Sequence, residues 1–192
     1  VEIEAIRTEN ANESKIMNLL VKPRLANIQT QIIEYELPED VKPLFPLYDG
    51  KNSIWLSDAL SPRLWQFSLE TQEFTAYSFD GLSTTILTLD NNGNIWFVDK
   101  SRNQIGFFDP ENKQITTKTI PNLDPTISEN TPIFIQADFD GNIWVSIINK
   151  NSIVKYLPES DTFEVIQLPE RESFPFALTI DSNGMIWYST SG

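Results

Sequence analysis

The chain has 192 residues with neither Cys nor His, and 27 acidic against 14 basic side chains give it a formal net charge of −13. That field repels phosphate backbones, and no Lys/Arg cluster offsets it locally, which excludes nucleic acid as an expected partner. No apolar run approaches the length of a membrane span.

Forty per cent apolar residues, with five Trp and twelve Phe, is ample for a packed core. The lack of Cys leaves no disulfide argument about compartment. The lack of His removes the commonest general base and a common metal ligand from these residues. The start at Val1 rather than Met suggests processing or trimming, a removed signal peptide being one explanation.

Residues 1–27 match nothing later in the chain and read as an N-terminal extension or linker, with a docking segment as the alternative. Ile16, Leu19 and Leu20 have helical spacing, Asn10 or Asn12 could cap a short helix, and Pro23 would end it. Asn12-Glu13-Ser14 fits the glycosylation sequon, a triplet that is frequent by chance.

Residues 28–192 read as strands. From Gln31, the apolar Ile33, Tyr35 and Leu37 alternate with polar residues until Pro38, which predicts an outermost strand. A repeat then organises the rest. Ile-Trp recurs at Trp55, Trp96, Trp144 and Trp187, in steps of 41, 48 and 43 residues. Each copy follows an acid-led turn beginning at Asp49, Asp90, Asp138 or Asp181.

Four strands fit each repeat. The first ends at the acidic turn, as in 84–89, 132–137 and 175–180, and the second carries Ile-Trp. The third and fourth lie in a gapless twelve-residue match of 63–74, 104–115 and 152–163. In that register Leu64, Ile105 and Ile153 coincide, as do Phe67, Phe108 and Tyr156, and the acids Glu70, Glu111 and Glu159. The extra residues of the 48-residue step fall in the polar stretch 121–131. Such insertions often mark the binding face of a repeat array, and surface loops also tolerate length at little cost; both readings stay open.

A period of 41–48 residues punctuated by Gly, Asp and Trp is the signature of β-propeller blades. The expected fold is therefore all-β, a propeller of four-stranded antiparallel blades. About three and a half are present: 41–79, 83–120, 131–168 and an incomplete 174–192. Such an array leaves open sheet edges, which proteins avoid. The expectation is a larger propeller completed by further blades or a protein partner. A four-bladed ring sealed by the N-terminal strand is the alternative.

The stretches Asp138-Phe139-Asp140-Gly141-Asn142-Ile143-Trp144-Val145 and Gln104-Ile105-Gly106-Phe107-Phe108-Asp109-Pro110-Glu111 resemble repeats of the streptogramin B (virginiamycin B) lyase family, and more loosely NHL and gluconolactonase-like propellers. The resemblance covers roughly residues 31–192. It implies the propeller fold, and for the lyases His and Glu around a divalent metal at the channel mouth, where C–O bond cleavage takes place. No His can be carried over. Just after the Ile-Trp strand, where that family often has an acid, the four positions read Asp58, Asp99, Ile147 and Thr190.

The oxygens of Asp138, Asp140 and Asn142 have the i, i+2, i+4 spacing of calcium loops, without the remaining ligands. Asp and Gly there are also what a tight turn selects, and the turn is the favoured reading. The stretch resembles the Asp-box of sialidase propellers too, with the acid three rather than two positions ahead of Gly. The repeated Trp residues read as blade packing rather than sugar platforms.

Propeller ligands bind at the channel mouth, here the second-to-third-strand loops and the connections between blades. Asp58, Arg63, Asp99, Lys100, Arg102, Lys150 and Asn151 are the polar groups gathered there, able to take a small polar ligand or simply to be solvated. No cofactor is evident, and a divalent cation would follow only from lyase-like chemistry. The function these observations suggest is a non-catalytic binding or protein-interaction scaffold outside the cytoplasm. The alternative is a metal-dependent lyase or lactonase whose His residues lie elsewhere.

Overall fold

The computed structural model describes residues 2–6, 18–22, 33–124, 126, 129–169 and 172–191, the first two stretches as backbone. The chain forms two compact units, Val1–Glu36 and Leu37–Gly192.

In the first unit β1 (Glu2–Ile6) pairs antiparallel with β2 (Asn18–Lys22), placing Ile3 opposite Val21 and Ala5 opposite Leu19. Leu19 and Leu20, expected on a short helix, are thus in a strand. A helix of a few residues cannot offset its nucleation cost, whereas a five-residue run finds a ladder partner in Glu2–Ile6. Asn10, Asn12, Ile16 and Pro23, the sequon and residues 31–32 lie outside the described residues. The outermost strand expected from Gln31 is also corrected: no strand forms over 33–38, and Ile33, Tyr35 and Leu37 are exposed. An outer strand needs the free edge of a third strand, and no sheet among the described residues pairs with this segment.

The second unit is a series of antiparallel sheets, each made of consecutive strands. Blade 1 is β3 (Pro43–Tyr48), β4 (Ser53–Asp58), β5 (Arg63–Ser68) and β6 (Phe74–Ser78). Blade 2 is β7 (Leu87–Leu89), β8 (Ile95–Asp99), β9 (Gln104–Asp109) and β10 (Gln114–Thr119). Blade 3 is β11 (Pro132–Ala137), β12 (Ile143–Ile147), β13 (Ser152–Leu157) and β14 (Thr162–Gln167). A two-stranded sheet of β15 (Pro175–Ile180) and β16 (Ile186–Thr190) follows. This is the all-β architecture the repeat predicts. The strand expected over 84–89 is shorter, because the Thr84 and Thr85 hydroxyls donate to the carbonyls of Arg63 and Val98 and draw the backbone from the ladder.

The cores lie between blades. Trp55, Leu64, Leu87, Ile95, Phe97 and Phe108 form one, joining blades 1 and 2. Trp96, Ile105, Ile135, Ile143, Val145 and Tyr156 form the next, joining blades 2 and 3. The coincident positions 64, 105 and 153, and likewise 67, 108 and 156, are all buried, as their register demands.

The acidic turns work as clasps. Asp138 Oδ1 accepts the N–H groups of Asp140 and Asn142 at 3.0 and 2.8 Å, while Oδ2 accepts Asn142 Nδ2 at 2.9 Å and Trp144 Nε1 at 2.8 Å. Asp90 holds Trp96 in the same way (2.8 Å), and Asp181 holds Trp187 (3.0 Å). The carboxylate oxygens thus face N–H donors, the geometry of a tight turn. Blade 1 departs from this. Asp49 Oδ1 takes three backbone N–H groups, and Trp55 Nε1 is buried without a hydrogen-bond partner. Its left-handed glycine is Gly50, directly after the acid, whereas Gly93, Gly141 and Gly184 stand three places after theirs.

The clasps set an acid response. Burial pushes Asp138 up, but the hydrogen bonds from Trp144, Asn142 and Asp140 outweigh it and hold the carboxyl below the ordinary Asp value. Asp161 is held low by Lys118 and Tyr156, and Asp181 by Trp187 and its turn N–H groups. A depressed folded pKa contributes stability that is present above the unfolded value and lost as pH falls through the folded one. Melting temperature should therefore fall as pH is lowered from about 5 towards 2. Asp138→Asn should flatten that fall, as followed by circular dichroism, and an unchanged pH profile in the variant would refute this account.

Candidate functional site

The expected mouth residues lie on the turns from second to third strands and on the segments between blades. In blade 1, Asp58 Oδ1 accepts Leu60 N–H at 3.0 Å, and Oδ2 accepts Ser61 Oγ at 2.5 Å and Trp65 Nε1 at 3.4 Å. Arg63 Nε stands 3.9 Å from the same oxygen and donates to Ser61 Oγ at 2.7 Å, its guanidinium lying over Trp65. Burial pushes the Asp58 carboxyl up, and these donors together bring it below the ordinary value. A cavity of about 210 Å³ lies beside this turn, bounded on its far side by Gly81, Leu82 and Ser83.

In blade 2 the turn is a short 3-10 helix, Lys100–Arg102, capped by Asp99, whose Oδ1 accepts Ser101 N–H at 3.2 Å and Ser101 Oγ at 2.6 Å. Arg102 Nη1 lies 3.6 Å from Asp99 Oδ2, and Lys100 is exposed. Asn103, left-handed at φ 53°, donates its side chain to Ile120 O at 2.7 Å and ties the turn to the end of the fourth strand.

In blade 3 the matching helix is Ile148–Lys150, with Asn151 left-handed. Asn151 donates to Leu168 O and accepts from the backbone and hydroxyl of Ser173, so it fastens blade 3 to the segment leading to β15. Lys150 is buried, its Nζ donating to Asp124 O at 2.9 Å. Asn149 bonds Thr131 N–H and Glu129 O, each at 2.7 Å. The polar insertion is thereby anchored to the second-to-third-strand turn of its own blade.

Apart from the exposed Lys100, the predicted residues are engaged within their own turn or the adjoining connection. Asp58 meets Arg63, Asp99 meets Arg102, Lys150 meets the insertion, and Asn151 meets Ser173; among the described residues no contact joins these groups into one constellation. Ser61, Asn149 and Asp124 belong to the same networks and were not singled out by the sequence, although each lies within a predicted loop.

A second set was missed. Ser57 and Ser146, two places after their Trp, each accept an N–H from their own first strand (Phe45, Phe134). Each then donates to a carbonyl of the following blade, Thr85 just before β7 at 2.6 Å and Phe176 in β15 at 2.7 Å. The recurring Trp-x-Ser is the signal that could have found them.

Four-stranded antiparallel sheets in series, with apolar cores between successive blades, define a segment of a β-propeller. Solved structures bear this out. The chain is similar to a streptogramin B lyase structure, with a TM-score of 0.71 and 23% identity over 83% of this chain and 52% of that one. It is similar to virginiamycin B lyase from Staphylococcus aureus (0.68, 23%, 79% and 50%) and to a chain of the nidogen/laminin complex (0.62, 18%, 79% and 58%). The chain thus spans about half the length of the lyase structures. No family model and no curated protein matches it.

The divalent metal that a lyase-like mouth implies does not fit the residues present. The chain has no His, and among the described residues no group of three or more carboxylates is placed to hold a cation. Asp58 and Asp99 sit in separate turns with their own donors.

Proposed function

We propose that this chain is a non-catalytic propeller segment, acting outside the cytoplasm as a binding or protein-interaction scaffold. The observation that carries the reading is the engagement of the mouth polar groups. Asp58, Asp99, Lys150 and Asn151 are all committed to holding turns and connections together. A solvated ligand would have to compete with those bonds. The acidic surface and the lack of His support the same reading.

Titration with Mg²⁺ or Mn²⁺ in a calorimeter should give no saturable binding at the mouth. Asp58→Asn should instead cost about 1–3 kcal/mol of stability by weakening a charge-assisted network. Saturable binding that Asp58→Asn and Asp99→Asn abolish would overturn the scaffold. Fractionation of the native cells should place the protein outside the cytoplasm.

One observation favours the second reading, a metal-dependent lyase-like or lactonase-like enzyme whose His residues lie outside these 192. Asp99 Oδ2 is buried without a hydrogen-bond partner. Incubation with quinupristin, the ligand in one virginiamycin B lyase structure, tests it, and ring opening would establish it.

A further inference from the structure

The outer strands of blades 1 and 2 border an open groove of about 820 Å³. Its two walls differ in kind. On the blade 2 side the outermost lining residues alternate, as Lys113, Ile115 and Thr117, so that wall is the face of a sheet. On the blade 1 side Ala76, Tyr77, Ser78 and Phe79 line it consecutively, so the groove runs along the edge of β6. That edge is open. Phe79 N–H donates to Pro62 O at 2.8 Å and Glu73 O accepts Ser68 N–H at 3.0 Å, so the odd-numbered residues bond inward to β5. By alternation the N–H and C=O groups of Ala76 and Ser78 point outward, and among the described residues no strand pairs with them. The side chains of Tyr77 and Phe79 turn to blade 2, their rings 4.7 and 5.5 Å from Phe108.

The gap between blades 2 and 3 is bridged instead. There Lys118 Nζ reaches Asp161 at 2.8 Å, and Tyr156 Oη donates to the same carboxylate at 2.8 Å. In the register of the repeat, Tyr77 stands in the place of Lys118, Lys113 in that of Asp161 and Phe108 in that of Tyr156. Every part of the bridge is thus replaced between blades 1 and 2, and its acid has become a cation. Lys113 is exposed and has no ion-pair partner among the described residues.

We propose that this groove docks an extended acidic peptide segment of a partner protein, which adds a fifth strand to blade 1 along β6. The peptide backbone pairs with the outward groups of Ala76 and Ser78. Its alternate side chains fall on the face of β10: a small polar one against Thr117, an apolar one against Ile115 and an acid against Lys113. Backbone pairing supplies affinity, and charge complementarity decides the occupant. Lys113 is the unpaired charge of its wall, at the place where the next gap sets an acid opposite a lysine. The other end of the groove does not select, because Arg102 stands 3.6 Å from Asp99 and Asp80 lines the same end. The inference rests on the scaffold reading and deepens it by naming a face and a class of partner. The metal titration tests that reading by itself, so the two can fail separately.

The probe is the synthetic peptide acetyl-Ser-Thr-Ser-Phe-Ser-Glu-Ser-amide, added to the whole chain and followed by NMR hydrogen exchange. In the free chain the amides of Ala76 and Ser78 should exchange rapidly, and saturating peptide should slow them about tenfold. Replacing the peptide Glu by Gln should weaken binding about fivefold. Lys113→Glu in the chain should weaken it at least as much, and this variant should then prefer a peptide with Lys in place of Glu. That reversal cannot come from a folding defect, and the peptide variants leave the chain untouched. Unchanged exchange at Ala76 and Ser78 in excess peptide, or equal binding of the Glu and Gln peptides, would overturn the proposal. So would slow exchange at both amides without peptide, since this chain or a second copy would then already cover the edge. Binding of phenylacetate as tight as that of the peptide would overturn it in favour of a small aromatic acid.

Discussion

Replacing Trp96 by Ala should cost about 3–5 kcal/mol in urea unfolding, whereas Trp187→Ala should cost less than about 1 kcal/mol. The two residues occupy the same place in the repeat and make the same bond to the acid of their turn, 2.8 Å to Asp90 and 3.0 Å to Asp181. They differ in burial: Trp96 is 2% exposed between blades 2 and 3, and Trp187 is 60% exposed. Trp96 also stacks on Phe107 at 4.7 Å. The comparison therefore separates blade packing from the clasp. Removing the buried indole forfeits its transfer energy and leaves a cavity that neighbouring strands, fixed by their ladders, cannot fill. Comparable losses at the two sites would assign the stability to the clasp instead. Trp96→Phe, which keeps a ring but drops the indole N–H, should fall between the two results.

The period of Ile-Trp made the blades legible because stacking imposes the same burial at the same place in every repeat. The register of Leu64, Ile105 and Ile153 follows from that constraint, and so does the exposure of Glu70, Glu111 and Glu159. Where no repeat constrains the chain, local pattern misled. Leu19 and Leu20 have helical spacing but pair in β2, and the alternation of Ile33, Tyr35 and Leu37 finds no sheet. The turns between second and third strands were legible as turns, and their bonding was not. Asp58 and Asp99 are equivalent by position, and their engagement is decided by Ser61, Ser101 and Arg102, outside the repeat match, and by Arg63, where the other copies have Gln104 and Ser152. Blade 1 makes the same point for the clasps. Asp49 stands six residues before Trp55, as in the other copies, yet Gly50 shifts the left-handed turn and the indole N–H loses its acceptor.

Gly106→Ala should destabilise the chain by about 1–3 kcal/mol, and Gly106→Val by more. The cause is space rather than backbone freedom. A Cβ on Gly106 would lie 2.5 Å from Phe97 Cζ, 2.9 Å from Phe97 Cε2 and 3.0 Å from the carbonyl oxygen of Thr116. Phe97 is fully buried, so its ring cannot swing clear. The register explains why glycine stands there. Position 97 pairs with 106, and the matching pairs are Leu56 with Trp65 in blade 1 and Val145 with Val154 in blade 3. Each blade fills this cross-strand site with a different division of volume, and blade 2 gives nearly all of it to Phe97. The double variant Phe97→Val with Gly106→Val rebuilds the blade 3 pair. It should recover most of the loss seen in Gly106→Val, giving a coupling energy of about 1–3 kcal/mol in a double-mutant cycle. Simple additivity of the two single losses would refute the volume exchange and assign the cost of Gly106→Val to the Thr116 carbonyl, which the Phe97 substitution leaves in place.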